Sequence, residues 1–207
     1  MALNSGPGTT AAAPSASAEP EAPLEDLVDA SDEPIEELHE APDLEAVLPT
    51  EIDGTALATQ SWTGDTLLSD GGTWSTAIAS FLTSAGKTPA DLTAAQALDP
   101  ADLIDHSVGV FRVDGVDVEA LRDALANAWV ADYPELVTST VTLGDIEVVK
   151  GDFGEDAIDS YWYIKDGLLF DVESSDEAIA TAILTGIRDG TGGTPASASP
   201  SAAASPS

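Results

Sequence analysis

The chain has 207 residues and could make one domain or two small ones; 43% of it is apolar, enough to bury a core. Its 38 acidic residues against 6 basic ones give a formal charge of −32, a surface that repels phosphate backbones and anionic lipid, so nucleic-acid and membrane-surface binding are excluded as expectations. No cysteine is present, which removes disulfides, zinc–thiolate centres and cysteine nucleophiles, and no apolar run approaches the roughly 20 residues of a spanning helix.

Residues 1–23 are almost wholly Ala, Ser, Pro, Gly and Thr and cannot bury enough surface to fold. Twelve acids fall between Glu19 and Glu45, interrupted by Leu24, Leu27, Val28, Ile35 and Leu38. That stretch reads as a solvated, self-repelling tether, or as an acidic-hydrophobic segment that docks on a basic partner. Residues 191–207 repeat the Pro/Ala/Ser chemistry without any charge. The expected layout is a disordered tail over 1–47, one globular domain over 48–190 and a second disordered tail over 191–207. Residues 51–190 hold 26 of the acids and all six bases, so the domain is itself strongly acidic.

Within the domain, Thr55–Leu68 predicts two short strands broken at Thr63–Gly64. Trp74, Ile78, Phe81 and Leu82 recur at helical spacing, with Gly86 placed to end the helix in the left-handed conformation. Residues 88–105 stay ambiguous: Thr88-Pro89-Ala90-Asp91 and Asp99-Pro100-Ala101-Asp102 both resemble helix starts, while Leu92–Leu98 could be a strand. SVGVFRV (107–113) reads as a strand. Val118, Leu121, Leu125 and Trp129 mark a second helix behind an Asp117 cap. Residues 138–143 and 146–150 predict a hairpin around Gly144–Asp145. Asp166–Gly167 predicts a type I′ turn joining SYWYI to LLFDV. Ser174 and Glu177 form a capping-box pattern before the stripe Ile179, Ile183, Ile187, closed by Arg188 and Gly190. The sum is an α+β domain, a mostly antiparallel sheet with about three helices on one face.

Val47-Leu48-Pro49, the Gly86-Lys87-Thr88-Pro89-Ala90-Asp91 segment, the Phe111-Arg112-Val113-Asp114-Gly115-Val116-Asp117 turn and the Tyr161–Phe170 hairpin together resemble an uncharacterised α+β domain of exported proteins and membrane-anchored lipoproteins of high-GC bacteria, found beside Pro/Ala/Ser-rich linkers. The resemblance covers about 140 residues, rests on turns and caps, and carries no activity and no catalytic residue. It implies an extracellular or cell-surface address, with a cytoplasmic one as the alternative. The cysteine on which a lipoprotein is anchored is absent here.

Candidate chemistry is sparse. His106, beside Asp102 and Asp105, is the one histidine of the 48–190 segment; no G-x-S-x-G elbow accompanies it. Carboxylate catalysis needs two acids at a cleft, one of them shielded, and spacing cannot choose such a pair among 26. Asp152, Glu155, Asp156 and Asp159 share one loop, but their spacing is not that of a calcium loop, and no phosphate-cradling motif occurs. No catalytic residue, metal ligand or cofactor is therefore assigned.

One apolar feature stands out. The Asp166–Gly167 turn pairs Tyr163 with Phe170 and Tyr161 with Val172 on one side of the sheet, and Ile164 with Leu169 and Trp162 with Asp171 on the other. If only the first side meets helices, Trp162, Ile164 and Leu169 form an exposed patch that would bind a protein or an apolar ligand. Three functions follow as expectations: a non-enzymatic binding module displayed outside a bacterial cell, a carboxylate enzyme, and a carrier of hydrophobic molecules with a cavity between sheet and helices. The acidic excess also suits a halophilic host. Burial of Trp162, a lined cavity and neighbouring carboxylates in a cleft are the features that separate the three.

Overall fold

The computed structural model describes residues 38–101, 103–154 and 157–190. The proposed tails over 1–37 and 191–207 lie outside the described residues. The first described element is α1 (Pro42–Glu45), followed by a tiny hairpin, β1 (Glu51–Ile52) and β2 (Thr55–Ala56), turned by Asp53 and Gly54 with φ of 48° and 81°. The main sheet opens with β3 (Ala58–Thr63). Next come the single turn α2 (Gly64–Leu67), α3 (Thr73–Ser84), a 3₁₀ turn at Pro89–Asp91 and β4 (Leu92–Leu98). Then follow β5 (His106–Val113), α4 (Val118–Asp132), β6 (Val137–Leu143), β7 (Ile146–Asp152), β8 (Asp159–Lys165), β9 (Leu168–Ser174) and α5 (Glu177–Asp189).

The seven strands of the main sheet run in the order β3-β4-β5-β9-β8-β7-β6, every adjacent pair antiparallel. This is the expected α+β class. Its local signals act as the sequence implies. Asp166 and Gly167 both have positive φ, 53° and 78°, which only a type I′ hairpin turn requires of both its central residues. Gly86 ends α3 at φ 72°, Gly190 ends α5 at φ 70°, and Asp117 caps α4 by accepting from the amides of Glu119 and Ala120.

Two local expectations are corrected and one ambiguity is resolved. Ser174 is not the cap of α5: Asp176 accepts from the amides of Ala178 and Ile179, and the Ser174 hydroxyl bonds to the backbone of Asp176. Beyond Thr63–Gly64 the chain makes a helical turn in place of a strand. Of the two ambiguous starts, Pro89 makes only the 3₁₀ turn feeding β4. Asp99 instead folds a loop by accepting from the amides of Ala101 and Leu103.

The larger correction concerns coverage. The sheet is packed on both faces. On one, Ile78 and Leu82 of α3 and Leu121 and Leu125 of α4 bury against Leu92, Val113, Trp162 and Leu169. On the other, Ile183, Leu184 and Ile187 of α5, with Leu44 and Leu48, bury against Val108, Val110, Tyr161, Phe170 and Val172. The domain therefore begins before residue 48. Ala41, Leu44 and Leu48 are 3%, 1% and 3% exposed, so residues 38–47 belong to the core rather than to a tail. His39 bridges Ser61 in parallel, the Ser61 amide donates to the Leu38 carbonyl at 2.7 Å, and the Glu40 carboxylate accepts from the Thr63 amide at 2.6 Å. That strap covers the free edge of β3.

Candidate functional site

The hairpin register is the expected one, with Tyr163 opposite Phe170, Trp162 opposite Asp171 and Ile164 opposite Leu169. The exposure expected of the second side is not there. Trp162 is 2% exposed and Leu169 0%, and Ile164 packs partly buried beside them under the helix face made by α3 and α4. Gly151 on β7 makes room for the indole: a Cβ there would lie 2.8 Å from Trp162 Cη2. Trp162 and Leu169 are core and Ile164 packs partly buried against them, so the three form no exposed patch.

Where that face escapes the helices, it opens into a cleft of about 400 Å³. The two floor rows follow from the register. Trp62, Ala94, Phe111 and Leu169 lie across β3, β4, β5 and β9 in one row, and Gln96, Gly109, Asp171 and Trp162 lie across β4, β5, β9 and β8 in the next. Trp62, Ala94 and Phe111 of the first row and Gln96, Gly109 and Asp171 of the second line the cleft, so its floor passes from apolar to polar between the rows. Above it stand Trp74 from α3 and Trp129 from α4, ring centroids 5.8 Å apart. The aromatic cluster continues outward through Tyr133 and Phe153.

The polar lining is acidic. Asp70, Asp132, Asp171 and Glu173 line the cleft, and none of its lining residues is basic. Asp70, at the start of α3, accepts from the Gly72 amide and the Ser75 hydroxyl, which hold its carboxyl below the ordinary value. Asp132 comes from the last turn of α4, where the helix dipole is negative. Glu173 accepts from the Ser107 hydroxyl at 2.6 Å.

Asp171 differs from the rest. It is only 6% exposed, and its Oδ1 has no hydrogen-bond partner among the described residues. Burial first, and then the Glu173 charge, push its carboxyl up to about 8, opposed in part by the neighbouring Trp162 and Ser160 side chains. Asp171 is thus a buried carboxyl whose surroundings favour its neutral form, with an oxygen enclosed beneath the cleft floor. An unpaired buried polar atom is costly, so its presence calls for a reason. The Trp74 Nε1, also at the cleft, is likewise unpartnered.

His106 does acquire a serine partner: its Nδ1 lies 3.0 Å from the Ser174 hydroxyl. Ser174 is fully buried and its hydroxyl donates to the Asp176 carbonyl, so it is a structural bridge at the start of α5. Asp102 lies outside the described residues. In the acidic loop, Asp152 accepts from the Gly154 amide and Asp159 pairs with Lys150 at 2.7 Å; Glu155 and Asp156 lie outside the described residues. Among the described residues no three acids, histidines or cysteines gather as a metal site, and no helix is long and apolar enough to cross a membrane.

No family model matches the chain, and no curated protein or solved structure matches it.

Two sequence signals pointed at this site without being read. Gly109 interrupts a strand of β-branched and aromatic residues, and interior strand glycines mark a close approach or a gap. Asp171 is the only acid within LLFDV, a run otherwise apolar enough to be buried on both sides.

Proposed function

We propose that this domain is a non-catalytic binding module, displayed outside a bacterial cell, that takes a small organic cation with an apolar body into the cleft. The observation that carries the reading is the buried carboxyl of Asp171, one oxygen of which has no partner among the described residues, beneath tryptophan walls. Aromatic faces attract a cation through the ring quadrupole, and the attraction grows as water is excluded. The carboxylates of Asp70, Asp132 and Glu173 and the negative end of α4 add a field of one sign, which disfavours anionic ligands. This keeps the expected binding role and moves it from the Trp162 side chain to the cleft beside it. The carrier alternative shares the same cavity. The Ala/Pro/Ser-rich segments and the resemblance to exported domains support the extracellular address.

The test is titration with benzyltrimethylammonium, benzyl alcohol and benzoate, followed by tryptophan fluorescence and calorimetry at physiological salt. Only the ammonium should bind saturably. Equal binding of the alcohol would transfer the reading to a carrier of neutral apolar molecules, and binding of benzoate would contradict the electrostatic part outright.

A second reading has one observation in its favour. Asp171 and Glu173 face one cleft, the first kept protonated and the second accepting from Ser107, which is a division into acid and base. Hydrolysis of aryl glycosides that disappears in Asp171→Asn would establish a carboxylate hydrolase in its place.

A further inference from the structure

The two edges of the main sheet are treated differently. The β3 edge is covered by the chain's own Leu38–Glu40 strap. The β6 edge has no outer neighbour among the described residues. Free edges are ordinarily blunted by shortness, by lysine or proline, by a bulge or by a cover. Among the described residues none of these protects β6. It is seven residues long, VTSTVTL, and pairs with β7 without interruption from Val137↔Asp152 to Leu143↔Ile146. Residues 137–140 are exposed, Val137 at 64%. In a chain of net charge −32, this strand carries no charge at all.

The turn fixes which backbone groups face outward. Gly144 (φ 62°) and Asp145 form a two-residue loop, so Leu143 and Ile146 exchange hydrogen bonds, as do Val141 with Val148 and Ser139 with Lys150. The N–H and C=O groups of Thr138, Thr140 and Thr142 therefore point away from β7. These three are symmetric about Thr140.

We propose that β6 is a self-association edge: two copies join antiparallel, β6 to β6, across a two-fold axis at Thr140, making one continuous sheet. That axis sets Thr140 against Thr140 and Thr138 against Thr142, threonine pairs that are favourable opposite one another. It also sets Ser139 against Val141, with no charge on either strand. The edge complements itself, as a two-fold interface requires. For a strongly acidic chain, an uncharged strand is where a second copy meets the least repulsion. No β6 residue lines the cleft, so this inference stands apart from the ligand reading.

The test measures the mass of the full chain by light scattering over a range of sodium chloride. The expected result is twice the 21.1 kDa of one chain, with the dimer fraction rising as salt screens the repulsion between copies. Thr140→Pro, which removes an outward N–H and leaves the β7 ladder intact, should give a monomer with an unchanged circular-dichroism spectrum. Because the chain has no cysteine, Thr140→Cys and Ser139→Cys each carry a single thiol. Directly opposed residues lie about 5.5 Å apart between Cα atoms, within disulfide reach, so Thr140→Cys should cross-link under mild oxidation and Ser139→Cys should not. A monomer at every salt concentration, or equal cross-linking of the two cysteine variants, overturns the proposal. So does self-association that weakens with salt, which would mean that the copies meet through opposite charges and not through this uncharged strand. If Thr140→Pro fails to fold, the cysteine pair decides alone.

Discussion

Asp171 stands directly opposite Gly109 in the β5–β9 ladder, and the side chain missing at Gly109 is what leaves the carboxyl facing a cleft. A Cβ at that position would lie 3.3 Å from Phe111 Cε2 and 3.7 Å from Asp171 Cβ. Gly109→Leu should fill the cleft floor and lower cation affinity by at least about tenfold, while Gly109→Ala, whose one carbon is tight only against the edge of Phe111, should fold normally and lose less affinity. Titrations of the two variants against the wild type check the order. Unchanged affinity in Gly109→Leu would place the ligand elsewhere.

Residues 38–47 should be needed for stability. Starting the chain at residue 48 removes Leu44, 1% exposed, and the bonds from Ala41 and Glu40 to β3. Emptying one leucine site typically costs about 2–5 kcal/mol. A chain starting at residue 38 should match the full protein in denaturant, and one starting at 48 should unfold at clearly lower denaturant. Coincident curves would contradict the packing described for the strap.

The two sides of the β8–β9 hairpin should both be sensitive. Trp162 is 2% exposed and Tyr163 only half-buried, so Trp162→Ala should cost about 3–5 kcal/mol and Tyr163→Ala less. Gly151→Ala should also destabilise, because its Cβ would meet the indole at 2.8 Å, and it should not do so in a Trp162→Ala background. Denaturation midpoints of the four chains measure this. The opposite order of Trp162 and Tyr163 would mean the face under α4 is open.

How far the sequence could be read follows from these same residues. The Asp166–Gly167 turn determined the register of β8 on β9, because positive φ at both positions leaves little else, and the period of two then sorted Trp162 from Tyr163 correctly. It could not say which side was covered. Coverage depends on whether α3 and α4 lie against the face of α5 or against the other, and an amphipathic stripe names no partner. The strap was missed for a related reason: α1 is four residues long, too short to show a period, and its Leu44 sits among acids that look solvated. The cleft was missed because it is made by Gly109 and by Asp171 on the adjacent strand, 62 residues away in sequence.

Stability should depend on pH through Asp171 with a definite sign. Unfolded, its carboxyl ionises near 4; folded, it holds its proton up to about 8. Between those values folding must take up a proton, so stability falls as pH rises, and it levels off above about 8. Asp171→Asn lacks this dependence. The difference between the two unfolding free energies should therefore grow in favour of the variant, by a few kcal/mol, as pH goes from about 4 to 8. A constant difference over that range would mean that Asp171 is ionised in the folded domain.

The proton on Asp171 also reports on ligand. A cation held in the cleft over Asp171 favours the ionised form, so binding at pH 7 should expel close to one proton. Calorimetry of benzyltrimethylammonium binding, repeated in two buffers of different ionisation enthalpy, counts that proton. The expected result is release of about one proton at pH 7, affinity that strengthens as pH rises toward 8, and neither effect in Asp171→Asn. Binding with no proton release and no pH dependence would contradict the placing of the cation at Asp171.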